Sequence, residues 1–113
     1  MDRRTFRRMT KGRLDPDARI DLHGMTAERA RAALTAFLLS AHARGDRLVL
    51  VITGKGRTRD EPGPMPPREG VLRRELPHWL AAPPLSSVVL QRTAAHRRHG
   101  GSGAHYVYLR RPR

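Results

Sequence analysis

Asp21 and His23 stand two residues apart just before Gly24, the spacing at which both side chains project from one face of an extended strand. A carboxylate so placed can orient an imidazole. A histidine's ordinary titration range then lets it take a proton from a hydroxyl, which in RNA would be the neighbouring 2′-OH. Thr53-Gly54-Lys55-Gly56 sets one cation between glycines, and His99-Gly100-Gly101-Ser102-Gly103-Ala104 is a glycine-rich run. Glycines let the main chain approach a bulky ligand, and amides in such a loop can hold phosphate. The chemistry these types suit is work on a phosphodiester. Asp21, His23 and Lys55 are the candidate catalytic residues. Lys55 and the amides of residues 100–103 would neutralise the phosphate as it becomes pentacovalent. If a divalent cation such as Mg²⁺ or Mn²⁺ is the cofactor, Asp21 is its candidate oxygen ligand. Each residue also has a structural reading. His23 can hydrogen-bond across a turn, Asp21 can cap a helix or pair with an arginine, and Gly100, Gly101 and Gly103 can supply positive φ to a tight loop. His96, His99 and His105 are spaced for a metal site but have no carboxylate near them in sequence.

Charge narrows the class of ligand. The 113-residue chain carries 23 Lys+Arg against 10 Asp+Glu, a formal net charge of +13. Self-repulsion of that size is relieved by a polyanion. The charge is clustered as well: Arg3, Arg4, Arg7, Arg8, Lys11 and Arg13 face only Asp2 in the first 13 residues, and no acidic residue follows Glu75. A coding bias toward arginine would raise the total, since Lys occurs only at Lys11 and Lys55, but it does not place the charge at both ends. Nucleic acid is therefore the expected partner. Its candidate contacts are Gly24, Gly54, Lys55, Gly56, Arg57, Arg97, Arg98, His99, Gly100, Gly101, Ser102, Gly103 and Arg110.

The length suits one domain with a single core. Without cysteine there is neither disulfide nor thiolate metal site. No apolar run reaches the roughly 18–20 residues of a membrane span, and the Arg-rich N-terminus is not followed by a signal core. A cytoplasmic, monomeric protein with no membrane partner is the expectation. Residues 1–18, with Phe6, Met9 and Leu14 as their large apolar residues, read as a basic flexible arm, and residues 19–113 as the folded domain. The natural N-terminus could lie further upstream.

The pattern of residues predicts the elements that position the candidates. Arg19 to Leu22 reads as a strand ending at His23-Gly24. Thr26 is an N-cap, Ala30, Ala33, Leu34, Phe37, Leu38 and Ala41 trace a helical stripe, and Gly45 stops the helix. Leu48 to Ile52 is a second, central strand that ends at the Thr53 turn. Strand, helix, strand makes the two strands parallel and brings Asp21, His23 and Lys55 to one edge. Residues 57–69 hold four prolines and read as an exposed basic loop. Val71, Leu72, Leu76, Trp79 and Leu80 predict a second helix with a kink or irregular turn at Pro77, and with Trp79 in the core. Val88 to Leu90 and Tyr106 to Leu109 predict third and fourth strands, antiparallel to one another. Phe6, Tyr106 and Tyr108 are the candidate exposed aromatics, too few for extensive base stacking.

The set Asp21-Leu22-His23-Gly24, Thr53-Gly54-Lys55-Gly56, Gly70-Val71-Leu72 leading to Trp79-Leu80, and Ala95 through His99-Gly100-Gly101-Ser102-Gly103-Ala104 to Arg111 resembles the Smr (small MutS-related) domain in its stand-alone form, over about residues 19–111. The resemblance implies a two-layer α/β sandwich, a four-stranded mixed sheet with two helices in the order β-α-β-α-β-β, similar to the C-terminal domain of translation initiation factor 3. It also implies endonuclease activity, either nicking of DNA or cleavage of RNA around stalled ribosomes. A non-catalytic nucleic-acid or ribosome adaptor is the alternative. The family's Asp-x-His element falls on Asp21 and His23, its Gly-Lys-Gly turn on Gly54 to Gly56 and its Gly-Gly-x-Gly-Ala loop on Gly100 to Ala104. The mismatch-recognition and ATPase regions of the large MutS-like proteins have no counterpart in this chain.

Overall fold

Strand β1 (Ala18–Asp21) enters the sheet beside β2 (Leu48–Ile52) through Asp17, whose carboxylate accepts the amide hydrogens of Arg47 and Leu48 at 2.8 and 3.0 Å. The two strands then run parallel, from Ala18 opposite Val49 to Asp21 opposite Ile52. The computed structural model describes residues 15–54, 67–94 and 103–112.

Helix α1 (Ala27–Arg44) connects them. Thr26 caps it as predicted, its extended backbone leaving Oγ1 to accept the Arg29 amide at 3.2 Å. At the other end Gly45 takes φ 89°, its amide donates to the His42 carbonyl and that of Asp46 to the Ala41 carbonyl. This is the reciprocal closure that a left-handed residue after a helix permits. Ala30, Leu34, Leu38 and Ala41 form the buried stripe.

Helix α2 (Pro67–Ala81) begins within the segment expected to be loop, because proline is well suited to a first helical position, where its missing donor costs nothing. Pro77 does not end the helix: it lies inside a continuous element with its side chain exposed. Leu72, Leu76 and Leu80 are buried along one stripe, and Trp79 packs half-buried against the same core. After the cis Pro83–Pro84 peptide, a short 3-10 turn at Leu85–Ser87 drops Leu85 into the core.

Strands β3 (Val89–Ala94) and β4 (Ala104–Leu109) are longer than their apolar residues alone predict, and antiparallel as expected. The sheet order is β1-β2-β4-β3, with β4 antiparallel to both its neighbours. Pairing of β3 with β4 steps by one residue between Val89 and Gln91. Both helices cover the face that carries Val49, Val51, Val107 and Leu109. Leu48, Leu50, Ala104, Tyr106 and Tyr108, with Ile52 and Leu90 against them, form a second apolar cluster on the opposite face. Tyr106 and Tyr108, expected to be exposed, are 0 % and 5 % accessible. They alternate onto that second face, where the Arg47 guanidinium sits 5.2 Å from the Tyr108 ring.

The buried stripe of α1 predicts that Leu38→Ala lowers unfolding free energy by about 2–5 kcal/mol, since it leaves a cavity at a fully buried site. Leu39→Ala, next in sequence but exposed, should stay within about 0.5 kcal/mol of wild type. Equilibrium denaturation of the two variants checks both values.

Candidate nucleic-acid site at the sheet rim

With β4 antiparallel between them, β2 and β3 point the same way as β1. The C-terminal ends of three strands and the N-terminal end of β4 therefore share one rim. Ile52 pairs with both Asp21 and Ala104, and Ala94 pairs with His105. The candidate motifs at Asp21, Thr53 and Gly103 all open onto this rim.

Asp21 is the last residue of β1. Beyond it the Leu22 amide still donates to the Ile52 carbonyl, at 2.7 Å, and the Met25 amide donates back to the Leu22 carbonyl, at 3.1 Å. Gly24 has φ 81° at the third position of that turn, where positive φ is required and a side chain is disfavoured. The turn folds His23 back onto the strand. The Asp21 Oδ1 accepts from both the His23 amide, at 3.0 Å, and His23 Nδ1, at 2.6 Å. Because a carboxylate only accepts, Nδ1 carries the hydrogen, and in the neutral imidazole the basic lone pair is on Nε2. Partial burial raises the Asp21 pKa, but the two His23 hydrogen bonds and the positive charges of His23 and Arg19 outweigh it and hold the carboxyl below its usual value. Asp21 stays ionised. Both side chains are accessible, His23 at 65 % and Asp21 at 44 %.

The end of β2 lies against this pair. Gly54 has φ 88°, and a Cβ built there would come 3.2 Å from the His23 Cβ. The Gly103 carbonyl accepts the amides of Thr53 and Gly54 at 2.9 and 3.1 Å, with Thr53 Oγ1 at 3.4 Å. The exit of the glycine-rich run is thereby tied to the turn that touches His23.

Beneath the rim, on the helix-covered face, lies a polar group that spacing alone did not single out as a unit. His105 is 5 % accessible, and its Nδ1 lies 3.1 Å from an Arg92 guanidinium nitrogen. A guanidinium cannot accept, so Nδ1 is the unprotonated nitrogen and Nε2–H faces Thr53 Oγ1 at 3.5 Å. Burial first, then the charges of Arg92 and Arg73, push its pKa down to about 4.

Of the sequence candidates, Asp21, His23, Gly24, Gly54 and Gly103 are brought together. Lys55, Gly56, Arg57, Arg97, Arg98, His99, Gly100, Gly101 and Ser102 lie outside the described residues. Arg110 is not at this rim. It follows the C-terminal end of β4, its amide donates to the Val88 carbonyl, and it lies six β-residue steps, about 20 Å, from Ala104. His105, once grouped with His96 and His99, faces Thr53 and Arg92, and among the described residues no three His, Asp or Glu side chains are gathered to hold a metal. Arg92 gave no signal in the sequence, because which face it occupies depends on the register step in β3.

Two outcomes follow. Gly54→Ala puts a Cβ into a left-handed backbone and against His23, so it should cost about 1–2 kcal/mol and disturb the Asp21–His23 pair, visible as a shifted His23 imidazole resonance by NMR. For His105, the folded pKa lies below the ordinary 6.5, so the unfolded chain binds the extra proton first. The contribution is complete above pH 6.5, shrinks as pH falls toward about 4, and levels off below that. Denaturation curves of wild type and His105→Gln should therefore converge as the pH is lowered through this window; a constant separation would contradict the neutral buried imidazole.

The Smr domain family profile matches residues 20–110. The structure is similar to the crystal structure of YdaL, a stand-alone small MutS-related protein from Escherichia coli, with 29 % identity and TM-score 0.75, covering 98 % of this chain and 78 % of that one. It is also similar to the Smr domain of Thermus thermophilus MutS2, with 26 % identity and TM-score 0.65, covering 82 % and 98 %. Among curated sequences, an uncharacterised protein of Treponema pallidum is 33 % identical over 96 residues, 85 % of this chain and 43 % of its own length. The ribosome rescue factor SmrB of Haemophilus ducreyi is 27 % identical over 107 residues, 95 % of this chain and 52 % of its own. The chain thus spans about half the length of these relatives. With the profile covering most of its length, this chain belongs to the Smr domain family.

Proposed function

We propose that the chain is a nucleic-acid endonuclease that cleaves a phosphodiester at the rim formed by Asp21, His23, Gly54 and Gly103. One observation carries this reading: the 2.6 Å Asp21 Oδ1–His23 Nδ1 contact beside the glycine turn of β2. Asp21 fixes the imidazole with Nε2 as its base. Nε2 takes the proton of an attacking hydroxyl, the hydroxyl oxygen forms the new bond to phosphorus, and the 5′-oxygen leaves, gaining a proton from solvent. In RNA the attacking group is the adjacent 2′-OH, and in DNA it is water. Lys55, next in sequence to Gly54, and the amides of the glycine-rich run are assigned to the phosphate charge. The pair is open to solvent, which suits a polymeric substrate.

A hard divalent cation takes about six oxygens, and Asp21 offers one carboxylate whose Oδ1 already accepts twice from His23. These residues do not make a protein cage for Mg²⁺ or Mn²⁺, so no step is assigned to either. The ribosome is a further proposed partner, and the cytoplasm the proposed site of action, from the relatives named ribosome rescue factors. Among the described residues no helix is long and apolar enough to cross a membrane.

The test is cleavage of matched end-labelled single-stranded RNA, its 2′-deoxy counterpart and supercoiled plasmid, in EDTA and separately with Mg²⁺ or Mn²⁺. His23→Ala should lower cleavage about 10²–10⁴-fold while binding stays nearly intact. Asp21→Asn should cost less, because it misorients the base without removing it. Cleavage of RNA in EDTA, absent for the deoxy strand, identifies the 2′-OH as nucleophile. Nicking of plasmid only with metal moves the assignment to a DNA nickase in which Asp21 would be a metal ligand. Binding of every substrate without cleavage of any rejects the enzyme and leaves a nucleic-acid or ribosome adaptor.

A further inference from the structure

The register step in β3 decides where Arg92 points. Val89 pairs with Leu109, but Gln91 pairs with Tyr108, so Leu90 is an extra residue. Continued in step from Val89, the ladder would set Arg92 opposite Tyr106, on the second apolar face. With the extra residue Arg92 sits opposite Val107. Val107 belongs to the helix-covered face and shares its side of β4 with His105, two residues earlier. Bulges are a recurrent means of re-aiming a side chain.

Once turned, Arg92 is held rather than neutralised. One guanidinium N–H is spent on the buried His105, at 3.1 Å, and His105 is steadied in turn by Thr53, whose amide donates to the Gly103 carbonyl at the rim. That contact leaves a guanidinium several further N–H donors in a fixed fork. Arg92 itself is exposed, and among the described residues it forms no ion pair with a carboxylate. Arg73 from α2 adds a second positive charge near the same imidazole. Arg44, by contrast, is compensated by Asp46 at 2.7 Å, near the opposite end of α1.

We propose that Arg92, aimed by the β3 bulge and braced by His105, is a second phosphate-binding position that holds the nucleic-acid backbone away from the cleavage pair. The assignment rests on the nucleic-acid reading of the rim. From β1 to β3 is three strand spacings, about 14 Å at roughly 4.8 Å each. At 3.4 Å of rise per nucleotide in a duplex strand that is about four nucleotides, and fewer along an extended single strand. A backbone crossing the strand ends from His23 over the Gly54 and Gly103 turns would thus reach Arg92 one or more phosphates away. Contact there positions the strand without reading its sequence.

Binding of a labelled single-stranded RNA oligonucleotide, measured by anisotropy between about 50 and 200 mM salt, tests this directly. Each neutralised phosphate contributes about 0.7 to the slope of log K against log salt for a single strand. Arg92→Gln should lower the slope by about that amount and weaken binding severalfold. Arg92→Lys should restore the slope, because the charge suffices for it. Arg44→Gln removes the same net charge at the far end of the molecule and should leave the slope unchanged. Equal slopes for Arg92→Gln and Arg44→Gln would overturn the assignment while wild-type binding keeps the rim reading intact. No salt-dependent binding by wild type would overturn both.

Discussion

The Gly103 carbonyl accepts the amides of both Thr53 and Gly54, and through that contact the antiparallel β4 closes onto the end of β2. Much of the site depends on this junction. It sets β4 between two strands that are parallel to each other, so that the ends of β1, β2 and β3 converge. It also fixes the backbone of Gly54, whose positive φ and missing Cβ let His23 pack against the turn. A carbonyl with two amide donors is well satisfied, and a rim organised by main-chain bonds is less sensitive to side-chain identity than one built from side chains alone.

Electrostatics within the rim are divided by solvent access. The Asp21–His23 pair is open to water, and its hydrogen bonds keep the carboxylate ionised. Two residues beyond Gly103, His105 is shut away and kept neutral by burial and by neighbouring guanidiniums. The same residue type is therefore placed in opposite roles by environment. Exposed His23, beside a carboxylate, donates a hydrogen bond from Nδ1. Buried His105, beside cations, is arranged to accept a hydrogen bond and to hold none of the charge.

The apolar framework explains why so basic a chain can fold around this rim. Leucines on α1 and α2 meet Val49, Val51, Val107 and Leu109, while the two tyrosines of β4 and the leucines of β2 occupy the other face. Positive charge is left to the periphery. Some of it is compensated locally, as with Arg44 and Asp46, and some lies over an aromatic ring, as with Arg47 and Tyr108.

Much of this architecture is legible in sequence, because it rests on local physics. Thr26 and Gly45 bound α1 through bonds within a few residues, and the leucine spacing names the buried stripe without reference to the rest of the chain. The Asp21, Gly54 and Gly103 motifs declare themselves by residue type, and the strand–helix–strand order is enough to place the first two at one edge. Proline at 67 could start a helix as readily as extend a loop, and tertiary packing of Leu72, Leu76 and Leu80 carries the helix on past Pro77. Tyr106 and Tyr108 alternate as any strand residues do, so only the sheet's second apolar cluster decides that they are buried. His23 could have turned away at Gly24; the Leu22–Met25 turn returns it to Asp21. Arg92 was invisible for the plainest reason. Side chains alternate with period two, so a single inserted residue moves every later one to the other face, and that insertion exists only in the pairing of β3 with β4.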